Sequence, residues 1–182
     1  PNDYLLFVKG ALFMYHSHPD RPAVASDSDL ECAEYMRLPL LIVSWPEGQI
    51  RMIGNPGDGT DLLGRRFIYG VFDCYSLVRD YYRTQLNTEL PEITRPRFGW
   101  WESGQVDPFM DGARACGMVA VDSPEVGDVL MISNRAFPVV NHVAVYVGNN
   151  EVLQHRILGL SSYAEYDDSY RDITTKVLRH AD

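Results

Sequence analysis

The segment His142-Val-Ala-Val-Tyr-Val-Gly148, followed by Asn149-Asn150, constrains the fold of this chain more than any other. Alternation at a period of two belongs to a strand with one apolar face. Val143, Val145 and Val147 then face a core, while His142, Ala144 and Tyr146 face the opposite side. Asparagine tolerates positive φ, so two in a row after a glycine read as a two-residue hairpin loop within an antiparallel sheet. That loop pairs residue 148 with 151, and hence 144 with 155. His155 then lies diagonally across from His142 on the same face, within reach for long side chains. A loop one residue shorter would bring Gln154 there instead, because a one-residue slip exchanges the faces. His155 is the favoured partner and Gln154 the alternative.

The second informative segment is Phe72-Asp73-Cys74-Tyr75-Ser76-Leu77-Val78, where a glycine-punctuated stretch gives way to an amphipathic run. Leu77, Val78, Tyr81, Tyr82 and Leu86 recur at three-and-four spacing, predicting a helix from Cys74 to Leu86 that packs on the sheet bearing His142. Asp73 reads as its N-cap. Cys74 then sits at the positive end of the helix, where the thiolate, the nucleophilic form, is favoured. A lone cysteine is more often a small buried hydrophobe than a catalyst. The order Cys74, His142, His155 argues otherwise: a nucleophile, a base, and a third group that holds the base in its working tautomer. Cys32 and Cys116 read as packing residues. An odd count of three cysteines argues against a disulfide framework and fits folding in a reducing cytoplasm.

At the front of the chain, Tyr15-His16-Ser17-His18-Pro19-Asp20 precedes Ser26-Asp27-Ser28-Asp29. Alternate strand positions put His16 and His18 on one face. A carboxylate from the next segment could complete a Zn²⁺ site that leaves a position open for water. Ser28 to Arg37 reads as a helix, Leu38 to Trp45 as a buried strand and Gln49 to Ile53 as its hairpin mate. The turn formers of Gly54-Asn-Pro-Gly-Asp-Gly-Thr60 read as a linker. The expected organisation is residues 1–53, a linker at 54–61, and a second domain at 62–182. In that domain, Pro91 to Trp101 reads as a lid or a substrate wall. A helix is expected around Val106 to Cys116, and strands near Val126 to Ile132 and Thr174 to Leu178. Tyr163, Tyr166 and Tyr170 fall in an acidic loop with no evident function.

The net charge of −9, with no basic stretch to neutralise phosphates, argues against a nucleic-acid partner. No apolar run approaches the roughly 20 residues needed to span a bilayer, and no cleavable signal peptide is recognisable.

Three ordered motifs carry a family resemblance: Gly64 to Asp80 around Cys74, Pro124-Glu-Val-Gly-Asp-Val-Leu130, and Pro138 to Gly148 around His142. Together they resemble the NlpC-type papain-like cell-wall peptidases, and within these the branch found in lambdoid phage tail tip assembly proteins. The resemblance covers roughly residues 60 to 180. It implies an α+β papain-like fold with Cys74 as nucleophile, His142 as base and His155 as third residue, working without a cofactor. It also implies cleavage of peptidoglycan stem peptides, partnership with other tail tip proteins, and a place at the virion tail tip after synthesis in the host cytoplasm. Many members carry a tyrosine shortly before the nucleophile that assists the oxyanion. Phe67 stands at that position here, with Tyr69 close by but on another face. The competing expectation is a structural tail tip protein with little or no hydrolase activity.

The His-x-His-Pro string with its downstream serine and aspartate resembles the JAMM/MPN metalloproteases. That likeness implies zinc on His16, His18 and Asp29, with Ser26 assisting an oxyanion. Those enzymes take their base from a glutamate far upstream, and Asp3 is the only acid among residues 1 to 15. A partial or degenerate module is therefore expected, one that binds metal but lacks the base for protease activity. A metalloprotease that processes a tail protein is the remaining alternative.

Overall fold

The computed structural model describes residues 11–36, 38–54, 61–133 and 136–181. The chain divides into two units, Pro1–Thr60 with Thr94–Arg97, and Asp61–Ile93 with Phe98–Asp182. Asp3 and residues 55–60 of the expected linker lie outside the described residues.

In the first unit, β1 (Met14–Pro19) leads through α1 (Asp27–Met36) to β2 (Leu40–Trp45), which turns back into β3 (Ile50–Ile53). β1 and β2 are parallel and β2 and β3 antiparallel, the latter being the expected hairpin. Ile50 exchanges two backbone hydrogen bonds of 2.7 Å with Arg95, which is why Thr94–Arg97 belongs to this unit and not to a continuous 62–182 domain. Ala23, Leu40 and Ile42 form its small core. Alternation along β1 leaves Tyr15 and Ser17 exposed and His16 and His18 half-buried on the other face.

The second unit contains α2 (Cys74–Gln85), α3 (Pro108–Ala115), β4 (Met118–Val121), β5 (Val129–Ile132), β6 (His142–Gly148), β7 (Glu151–Gln154), β8 (Ser162–Glu165), α4 (Asp168–Ile173) and β9 (Thr174–His180). Its strands form one antiparallel sheet in the order β4-β9-β5-β6-β7-β8. On one face Leu77, Val78, Tyr81 and Tyr82 of α2 pack with Val143, Val145 and Leu153. On the other, Leu130, Ala144 and Val152 pack with Tyr166 and Tyr170. Each large apolar side chain so buried contributes roughly 1.5–3 kcal/mol of transfer free energy. The fold is α+β, as expected, and the alternation of β6 is a two-sided core with its histidine at the open end.

The β6–β7 hairpin turns on Asn149 and Asn150, at φ 51° and 61°, as a two-residue loop of this kind requires. Gly148 also takes positive φ, 90°, and the register shifts between Tyr146 and Gly148. Val147 is thus an extra residue on its strand, a bulge, and Ala144 pairs with Gln154 and not with His155. The expected diagonal partner of His142 is corrected accordingly. His155 belongs to the opposite face.

A second long-range tie lies beneath the cleft. The Arg65 N–H donates to Ser161 Oγ (2.9 Å), and the Ser161 N–H donates to the Arg65 carbonyl (3.0 Å). The buried Arg65 guanidinium pairs with Asp80 of α2. These bonds fasten the strand-like approach to Cys74 and the loop after β7 to one another.

Candidate active site and candidate metal centre

The chain reaches Cys74 through a tight turn. Ile68 and Phe72 bridge across Gly70, whose φ of 76° only glycine adopts without strain. Asp73 then caps α2: Oδ1 accepts from the Ser76 N–H (2.9 Å) and Oδ2 from the Gly70 N–H (3.0 Å). Ser76 Oγ accepts from the Asp73 N–H (2.7 Å), completing a capping box. Cys74, the first residue of the helix, is held at this end with 6% of its surface exposed.

Cys74 opens onto a cleft of about 470 Å³, into which His142, Gln154, Arg156 and Tyr170 also project, with Trp100 and Trp101 forming an aromatic wall. Of the segment Pro91 to Trp101, expected as lid or wall, Trp100 and Trp101 line the cleft, while Thr94–Arg97 belongs to the first unit. His142 is held well below the usual histidine range, at about 4. Burial is the main cause and the nearby charge of Arg156 adds to it, while hydrogen bonding to Gln154 and the charge of Asp73 oppose it. At neutral pH the ring is neutral and able to accept a proton. Gln154 is itself fixed, its Oε1 accepting a 3.0 Å hydrogen bond from the buried Tyr170 hydroxyl. Burial pushes the Tyr170 pKa up, so this phenol keeps its proton and remains a donor.

His155 is fully buried away from the cleft, its ring edge-on to Phe67 at 5.2 Å. Burial lowers its pKa, and neither ring nitrogen has a hydrogen-bond partner among the described residues. Cys74 and His142 thus line one cleft, and Gln154, not His155, lines it with them. Tyr170 was the residue missed. It lies on α4, whereas Tyr166, four residues earlier, precedes the N-cap Asp167, so helical spacing gave no signal. Tyr69, expected on another face, lines the cleft together with Phe67, and its ring stands edge-on to Phe98 at 5.1 Å. Cys116 packs against the core as expected, whereas Cys32 is exposed on α1.

In the first unit His16, His18 and Asp29 converge. His16 Nε2 lies 2.9 Å from His18 Nε2 and 3.2 Å from Asp29 Oδ1, and His18 Nε2 lies 3.3 Å from Asp29 Oδ2. One ligand atom from each of the three side chains lies within 4.8 Å of the other two, close enough for them to share a metal ion. Ser26 holds the carboxylate through its N–H and its Oγ–H, both donating to Asp29 Oδ2 at 2.7 Å. Burial tends to raise the Asp29 pKa, but the bonds from Ser26 and the two histidines bring it below the usual carboxylate range.

Residues 64–179 match the NlpC/P60 family. The chain belongs to the NlpC/P60 family. An α+β unit with a helix-start cysteine against an antiparallel sheet is that family's papain-like fold. The chain is also 35% identical over 169 residues to tail tip assembly protein K of Escherichia phage N15, covering 92% of this chain and 68% of that protein. To tail tip assembly protein K of Escherichia phage lambda it is 32% identical over 170 residues, covering 92% of this chain and 80% of that protein. At 92% of the chain, these alignments take in most of the first unit as well as the NlpC/P60 unit.

Proposed function

We propose that this NlpC/P60 chain is a cysteine peptidase of a phage tail tip that cleaves amide bonds in peptidoglycan stem peptides. The observation that carries the reading is a single cleft holding a helix-start cysteine, a neutral histidine and a glutamine fixed by Tyr170. In this reaction Cys74 Sγ attacks the scissile carbonyl and passes its proton to His142. His142 then delivers that proton to the leaving amine as the C–N bond breaks, leaving a thioester. Water, deprotonated by His142, hydrolyses the thioester and returns the thiol. Gln154 accepts from the imidazolium and fixes its orientation. Backbone N–H groups at the start of α2 face the developing oxyanion, each such donor supplying about 3–4 kcal/mol in comparable sites. Similarity to tail tip assembly proteins supports delivery by the virion, with other tail tip proteins as partners.

The test is alkylation kinetics of Cys74 in a Cys32→Ser, Cys116→Ser background. His142→Ala is expected to slow alkylation near neutral pH at least tenfold. Equal rates with and without His142 would favour a structural tail tip role.

The converging donors of the first unit support zinc binding there. His16, His18 and Asp29 would hold the ion and leave a fourth position open, and bound zinc would supply an acidified water. Zinc at one equivalent, lost in His16→Ala/His18→Ala, is the expected result. An equal metal content in both proteins would exclude this site.

A further inference from the structure

Arg156 is the one lysine or arginine among the described residues lining the catalytic cleft. The arginines that hold the second unit together are paired: Arg65 with Asp80, Arg79 with Glu92, and Arg179 with Asp128. Arg156 forms no ion pair or side-chain hydrogen bond with any described residue. Among the described residues Asp73 is the one acid lining the cleft, and its two carboxylate oxygens accept from the N–H groups of Ser76 in α2 and Gly70 in the turn before it. Continuing the β6–β7 register, in which Ala144 pairs with Gln154, brings Arg156 opposite His142 and on the same side as Gln154. This exposed arginine forms no ion pair within the fold, and its charge opposes the positive charge that His142 carries during the reaction. An anion bound to it from outside the chain would remove that opposition.

We propose that Arg156 anchors a free carboxylate of the substrate, on a residue next to the scissile amide. This rests on the peptidase reading of the same cleft and adds what the cleft selects: an acidic peptide in place of a neutral one. A guanidinium binds a carboxylate through two parallel N–H···O bonds, which fixes orientation as well as charge. Arg156 is itself exposed, and Trp100, Trp101 and Phe67 line the same cleft and offer the rest of the peptide an apolar surface. Once seated, the carboxylate also neutralises the cation facing His142, so the substrate relieves the repulsion that its own hydrolysis would otherwise meet.

The experiment is calorimetric binding to the otherwise intact Cys74→Ala chain, which does not depend on turnover. The probes are a synthetic stem peptide and versions of it with each carboxylate singly converted to carboxamide. Arg156→Gln is expected to weaken binding of the acid peptide about tenfold or more, with Arg156→Lys intermediate. One carboxamide should lose the same affinity on the Cys74→Ala chain and lose nothing further with Arg156→Gln. Equal binding by the Arg156→Gln chain, additive losses, or no binding of any peptide would overturn the anchor. Acid-dependent binding without hydrolysis of the same peptide by the unmodified chain would sink the peptidase reading and leave the anchor standing.

Discussion

Gln154, His155 and Tyr170 can be separated by what each substitution disturbs. Gln154→Ala should lower turnover tenfold or more, because it removes an orienting group at the cleft, and should cost about 1–3 kcal/mol by leaving the buried Tyr170 hydroxyl without its acceptor. His155→Ala should leave turnover nearly unchanged. It empties a fully buried position beside Phe67 and should cost about 2–4 kcal/mol of stability. Tyr170→Phe removes one hydrogen bond, about 1 kcal/mol, and should lower kcat several-fold with little change in KM. A His155 variant with lost turnover and unchanged stability would contradict this assignment. His142 adds a pH signature. Its pKa is about 4 in the folded chain, against about 6.5 for an unperturbed histidine. Between these values the unfolded chain binds more protons, so stability present above about pH 6.5 is lost as the pH falls toward 4. Burial of His155 acts with the same sign. Denaturant midpoints at pH 7 and 4.5 should differ less in His142→Gln than in the unmodified chain. Cys74 and His142 were legible because each is announced by a local pattern, a capped helix and an alternating strand. The choice between residues 154 and 155 depended on one bulged residue that no side-chain pattern marks.

At the scale of elements, the start of α2 is the device that presents the nucleophile. Asp73→Ala removes the cap on Ser76 and the bond from Gly70, and should cost about 1–2 kcal/mol. It should also slow alkylation of Cys74, since it frees the helix end and removes a negative charge that favours the His142 imidazolium. Unchanged alkylation with reduced stability would confine Asp73 to a structural role. The helix, the hairpin loop and β9 were readable because twelve amphipathic residues, two adjacent asparagines and a seven-residue strand each leave a long or distinctive trace. β4 and β8 are four residues each and α4 is six, too short for periodicity to separate from a loop. The tyrosines of the acidic segment gain their meaning only from the second face of the sheet, which Tyr166 and Tyr170 cover.

Across the whole molecule, two chemistries occupy two units: a cysteine cleft in the NlpC/P60 unit and a histidine–aspartate cluster in the other. The first unit takes in Thr94–Arg97 through a long-range backbone bridge to Ile50 that sequence spacing does not encode. The central claim is that the cleft hydrolyses cell-wall peptide. It is tested most directly by mass spectrometry of the soluble fragments that the chain releases from purified Gram-negative peptidoglycan, with Cys74→Ala alongside. Stem-peptide fragments present with the unmodified chain and absent with Cys74→Ala are the predicted result. Identical fragment profiles from the two folded proteins, with Cys74 reduced, would contradict it.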